Sequence, residues 1–222
     1  PERFCKIVRV TATMKKSLVL IASPLLMLLA GCSESPKPAA EQKKKEPEKA
    51  PEPVTGRSAF QQMFITARNW SPDAVGLRVQ SIRLDDVKDE PGKSGAWQAV
   101  FVSTSRGRAR SYTYSVIEGP GNLHKGVFAG PEEGYREGGQ AQPFPIAALR
   151  VDSNEAYETA LNKGKGNEYS KKNPGMPITY LLEKTSRFPN PAWRVIWGES
   201  VGTSNFSVYI DASTGNYLQT MR

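Results

Sequence analysis

The sequence predicts an α+β fold of two related modules, each a helix packed on a three- to four-stranded antiparallel meander. Three observations predict it. Apolar residues recur at helical spacing near the start of each half, strand-like runs of alternating character follow them, and the two sets of elements repeat after about 95 residues.

The first module takes residues 57–141. Ser58 with Gln61 three residues on has the spacing of a capping box. Phe60, Met63, Phe64 and Ala67 then mark one face of a helix that ends before Ser71-Pro72. GLRVQSIRL (76–84) reads as a strand, and DDVKDEPGKSG as the loop after it. AWQAVFVSTS (96–105) and SYTYSVIEG (111–119) alternate as a hairpin turning at Arg106-Gly107-Arg108, with NLHKGVF (122–128) as a fourth strand.

The second module takes residues 142–222. Asp152 or Ser153 caps a helix, NEAYETALNK, that stops at Gly164. A basic, glycine-containing loop leads past Pro174-Gly175 to the strand PITYLLEKTS (177–186). AWRVIWGES (192–200) and NFSVYIDAS (205–213) form the next hairpin. Setting GAWQAVFVS over PAWRVIWGE aligns Trp97 with Trp193 and Phe101 with Trp197, which suggests duplication of one unit.

From about residue 146 to the end, the pattern resembles a PepSY domain. The positions that carry the likeness are Trp193, Val195, Tyr209, Asp211, Thr214, Gly215 and Leu218, within W-R-V-x-W and V-Y-I-D-A-S-T-G-x-Y-L. The first module departs from it, reading Glu118-Gly-Pro-Gly121 where the second has the D-A-S-T-G turn. The resemblance implies binding or inhibition of a peptidase, and it does not imply catalysis.

The first fifty-six residues read differently. PERFCKIVRVTAT (1–13) is expected to be translation from a start placed too far upstream, which leaves Cys5 without a role. Met14-Lys15-Lys16 and the apolar run Leu18–Leu28 read as a secretory signal over residues 14–31. As a helix that run spans about 16 Å, short of a hydrocarbon core about 30 Å thick. Leu29-Ala30-Gly31-Cys32 resembles the bacterial lipobox. That resemblance implies diacylglycerol on the Cys32 sulfur, cleavage before Cys32, and acylation of the new amino group with a chain such as palmitate. Ser33, where aspartate would favour the inner membrane, points to the outer membrane facing the periplasm. Residues 33–56, rich in Pro, Lys and Glu, bury almost nothing and form a disordered tether.

The formal charge of +8 is misleading as a guide to partners. Residues 1–31 carry Arg3, Lys6, Arg9, Lys15 and Lys16 against Glu2, and residues 33–56 balance five lysines with five glutamates. The remaining +4 is ordinary for a domain of this size, so no nucleic-acid partner is expected. Neither cysteine lies after residue 32, so no disulfide braces the folded part. Trp70, Trp97, Trp193 and Trp197 supply core material, and Trp97, Trp193 and Trp197 are also the candidates to line a groove on the open sheet face.

Catalytic patterns are weak. Asp211 closes a strand beside Ser213, Thr214 and Gly215, and reads as a turn residue whose carboxylate accepts backbone N–H groups. Gly198-Glu199-Ser200-Val201-Gly202 matches G-x-S-x-G literally, but a hydrolase elbow needs a helix after the serine, and here a strand follows. The single histidine, His124, precedes Ser200. Asp85, Asp86, Asp89 and Glu90 lack the spacing of a calcium loop, and Lys163-Gly-Lys-Gly-Asn167 lacks the ending of a phosphate loop. Lys163, Lys165, Lys171 and Lys172 could touch an anionic surface. No catalytic, metal or cofactor site is expected.

The expected function is that of a membrane-anchored envelope lipoprotein, held by lipid on Cys32, that binds a protein or peptide without catalysis. The alternative is a periplasmic peptidase inhibitor of PepSY type, and a distant third is a serine hydrolase using Ser200.

Overall fold

The computed structural model describes residues 50–88, 90–121 and 123–222; Cys32, the signal segment and most of the tether lie outside the described residues. The described chain runs through β1 (Val54–Thr55), α1 (Gly56–Trp70), β2 (Val75–Ile82), β3 (Lys93–Ser94), β4 (Ala96–Ser103), β5 (Arg108–Ser115) and β6 (Gly126–Gly134). A 3-10 turn at Ile146–Ala148 precedes α2 (Ser153–Asn162), α3 (Gly166–Lys172), β7 (Ile178–Glu183), β8 (Ala192–Trp197), β9 (Phe206–Asp211) and β10 (Tyr217–Met221).

Eight strands form one antiparallel sheet in the order β10-β9-β8-β7-β2-β4-β5-β6, while β1 and β3 pair separately. The sheet is thus two meanders joined through their first strands, with Arg78 opposite Glu183, Val79 opposite Leu182 and Gln80 opposite Leu181. The boundary expected near residue 141 is not a division in the fold. The connector there is bonded to both halves: the Gln142 N–H donates to the Lys184 carbonyl at 2.8 Å, and the Phe144 N–H to the Gly76 carbonyl at 2.8 Å. From residue 50 on, the described residues form one compact unit.

One core lies between the helices and one face of the sheet. Phe60, Met63 and Ala67 of α1 and Ala156 and Ala160 of α2 pack there against Trp97, Phe101, Trp193, Trp197 and Val208. The helical spacing read in the sequence therefore marks the buried stripe of α1. Trp97 and Trp193 are 0% exposed and Trp197 is 1% exposed. Their indole N–H groups are satisfied internally: Trp97 donates to the Val54 carbonyl at 3.0 Å, Trp193 to the Val151 carbonyl at 2.9 Å, and Trp197 to Ser170 Oγ at 2.8 Å. None of the three lines a groove. Each sits at an alternate strand position on the helix side, where a large ring excludes the most water.

The start of α1 also departs from the sequence pattern. The helix begins at Gly56, ahead of Ser58, and its N-cap Thr55 makes no side-chain cap bond. The second half supplies the caps instead: the Gly56 N–H donates to Ser153 Oγ at 2.7 Å and the Arg57 N–H to Asp152 Oδ1 at 2.9 Å. Asp152 simultaneously forms the capping box of α2 with Glu155, so one carboxylate serves two helix N-termini. Gly56 permits this approach, because a Cβ there would lie 2.6 Å from the Trp193 ring and 2.9 Å from the Trp97 ring.

Two elements differ from expectation. The segment 163–173, read as loop, contains α3, which is tied down by Tyr169 stacking on Phe206 at 4.2 Å. The fourth strand begins later than expected and runs on through Pro131 and two glutamates. As the outermost strand of the sheet it tolerates a proline that an inner strand would not. Among the described residues, no helix is long and apolar enough to cross a membrane.

Candidate functional site

Because side chains alternate across a strand, every residue between two core positions faces away from the helices. Arg194 lies between Trp193 and Val195, and Tyr209 between Val208 and Ile210. Strand register brings such residues into one row across seven strands: Thr113, Gln98, Gln80, Leu181, Arg194, Tyr209 and Gln219. Neighbours in that row are spaced by about 4.8 Å, the distance between strands.

Over strands β2, β7, β8 and β9 this face is hollowed into a cleft of about 610 Å³. Arg78, Gln80, Leu181, Glu183, Arg194 and Tyr209 form its floor, with the 185–187 and 200–202 loops and Gln140 around it. A smaller adjoining hollow adds Phe188 and Ala192.

Two guanidinium groups share the Tyr209 ring. The Arg194 guanidinium carbon lies 5.3 Å from its centroid and that of Arg187 5.4 Å from it. Arg187 also lies 5.9 Å from the Phe188 ring, which tilts against Tyr209 at 5.3 Å. Each contact of this kind contributes on the order of 0.5–1 kcal/mol at a solvent-accessible site. Arg194 Nε donates to Ser207 Oγ at 2.9 Å, and Arg187 Nη1 approaches the Met221 sulfur at 3.1 Å. Arg78 forms an ion pair with Glu183. Among the described residues, Arg187 and Arg194 have no carboxylate at ion-pair distance.

The residues singled out by sequence patterns are placed elsewhere or otherwise engaged. Asp211 Oδ1 accepts the Ser213 N–H at 2.8 Å and the Thr214 N–H at 2.9 Å, while Asn190 Nδ2 donates to Oδ2 at 3.0 Å. Gly215, at φ +76°, completes the turn. Asp211 is a turn residue, as its setting in the sequence predicts. Ser200 caps the β8–β9 connection, its Oγ 2.9 Å from Thr203 Oγ1. His124 lies between β5 and β6 and contacts Glu118 at 3.3 Å, with β4, β2 and β7 intervening between it and the Ser200 hairpin. Glu90 pairs with Lys93, and Asp89 lies outside the described residues. Among the described residues there is no group of three side chains suited to a metal ion.

Two shifted carboxylates are structural. The Asp73 carboxylate accepts hydrogen bonds from Ser71, Ser103 and Ser105, which hold its pKa well below the ordinary range. It ties the entry of β2 to the β4–β5 turn. Glu132 is lowered chiefly by the Trp70 indole N–H, which donates to it at 2.6 Å, and further by Arg106.

No family model matches the chain, and no curated protein matches it in sequence. Among solved structures it is similar to a candidate lipoprotein of Clostridium difficile 630, at 10% identity and a TM-score of 0.41, over 73% of this chain and 91% of that one. At that score the likeness says nothing about function.

Proposed function

We propose that this chain is a lipid-anchored envelope protein that acts without catalysis, binding a protein or peptide in the cleft around Tyr209. The observation that carries the reading is the arginine pair lying over Tyr209 with no carboxylate partner among the described residues. Such an arrangement is a recognition surface in waiting: aromatic area with directed donors at its edges. The lipobox-like Leu29–Cys32 supplies the anchor, and the segment from Ser33 to the start of β1 the reach away from the bilayer. The tether expected to run to residue 56 ends earlier, because Val54–Thr55 pair with β3 and Gly56 opens α1. The PepSY resemblance, on the residues quoted for it, agrees with a binding role.

Site-directed photo-cross-linking of the full lipoprotein in cells tests this. A photoreactive residue at Val201, on the cleft wall, should capture a defined partner that the same residue at Ile65, exposed on α1, does not. Equal capture at both positions, or at neither, counts against the cleft. A captured peptidase that is slowed by the purified protein would convert the reading to inhibition. The anchor is tested separately, by lipid mass on Cys32 and release from membranes in Cys32→Ala.

A further inference from the structure

We infer that the cleft takes an acidic peptide, an extended partner segment whose carboxylate is clamped by Arg187 and Arg194 beside Tyr209. The inference rests on the binding-module reading and adds the chemistry of the ligand.

Both guanidinium carbons lie over the Tyr209 ring, so the arene partners their charge without consuming an N–H donor. Arg194 spends Nε on Ser207, and Arg187 directs Nη1 at a sulfur, a weak acceptor. The terminal nitrogens of Arg194 keep their in-plane donors, which match the two oxygens of a carboxylate. The charge of the lining has the same sense. It contains three arginines and one glutamate, and that glutamate is already paired with Arg78. An anion entering beside Tyr209 therefore meets uncompensated positive charge with few competing acceptors.

Shape favours a peptide over a bilayer or a free ion. Arg194 is half-buried beside the 185–187 and 200–202 loops while Arg187 is exposed, so the two guanidinium groups are met together by a narrow segment entering between the loops rather than by a flat surface. A cleft of about 610 Å³ lies within the size range of ligand pockets and greatly exceeds one small anion. Gln80 and Gln219 lie in the same row as Arg194, and their amides can pair with peptide N–H and C=O groups. Leu181 and Val201 offer apolar contact between them.

The test is fluorescence anisotropy with the full lipoprotein in detergent micelles. The probes are a labelled short peptide, capped at both ends, with glutamates alternating with valine and serine, and its glutamine counterpart. Inorganic phosphate and phosphatidylglycerol vesicles serve as competitors. The glutamate peptide should bind about ten-fold more tightly than the glutamine peptide, the size of one good charge-assisted pair. Added salt should narrow that preference. Arg187→Gln with Arg194→Gln should abolish it, and Arg194→Lys should restore only part, because an ammonium lacks the fork. Arg187 is exposed and Arg187→Gln alone keeps the test open if the Arg194 variants fail to fold. Equal binding of the two peptides, or a glutamate preference that survives both substitutions, overturns the clamp while leaving the peptide-binding reading intact. Displacement by phosphate or vesicles at lower concentration than by peptide also overturns it. Binding of neither peptide overturns it too, and the cross-linking experiment then judges the binding-module reading on its own.

Discussion

The Trp97 and Trp193 rings meet edge to face, 6.2 Å between centroids and 71° apart, at the seam between the two halves of the sheet. Each indole holds the backbone two residues ahead of a helix, Trp97 at Val54 before α1 and Trp193 at Val151 before α2. The pair therefore sets where both helices begin. Trp193→Ala should cost about 3–5 kcal/mol, the usual range for emptying a buried aromatic site. Urea denaturation checks it, and a cycle with Trp97→Phe should show coupling of about 0.5–1.5 kcal/mol.

Gly56→Ala should destabilise, against the general helix preference for alanine of about 1 kcal/mol. The added methyl would meet both indoles well inside van der Waals contact. Overpacking of that kind costs about 1–3 kcal/mol. A denaturation midpoint at or above that of the unmodified protein would contradict the packing described at the seam.

Asp152→Ala should cost about 2 kcal/mol, at the upper end for an N-cap, because two helices lose a donor's partner together. Asp152→Asn should recover most of the loss. Hydrogen exchange should then speed up at the first turns of both α1 and α2, whereas loss of a private cap would affect α2 alone.

Acid sensitivity should track Asp73. Its carboxyl titrates lower in the folded protein than in the unfolded chain, so the unfolded state binds more protons between the two values. The stabilisation is present above the ordinary carboxylate pKa of about 4 and fades as pH falls towards the folded value. Asp73→Asn should flatten the fall of the urea midpoint below that pH. An unchanged slope would mean that other carboxylates carry the acid response.

Ser200 should resist covalent labelling by a fluorophosphonate probe. Its Oγ is turned to Thr203, and His124 is strands away. Stoichiometric labelling that vanishes in Ser200→Ala would revive the hydrolase reading.

Much of the architecture was legible in the sequence because it rests on local periodicity. The stripe Phe60-Met63-Ala67, the Asp152 cap and the Asp211 turn are all short-range patterns, and each appears where spacing puts it. α3 was not legible, since its seven residues are too short to display a stripe. The tryptophans illustrate the limit more sharply. Alternation assigns Trp97 and Trp193 to one face of their hairpins, but only the pairing of β2 with β7 puts both on one side of a single sheet, where α1 and α2 cover them. The cleft escaped for the same reason. Alternation alone sets Arg194 and Tyr209 opposite the core, yet Gln80 joins them through a contact across about a hundred residues of chain.

That central pairing also sets an order of events as the chain emerges from the membrane, amino end first. A chain delivered amino end first exposes α1 and strands β2, β4 and β5 well before β7 arrives. During that interval β2 presents an unpaired edge and Trp97 lacks its neighbour, the state in which strand edges recruit the wrong partner. The nascent first half is therefore the aggregation-prone species, and its protection ends when residues 178–183 arrive to close the sheet.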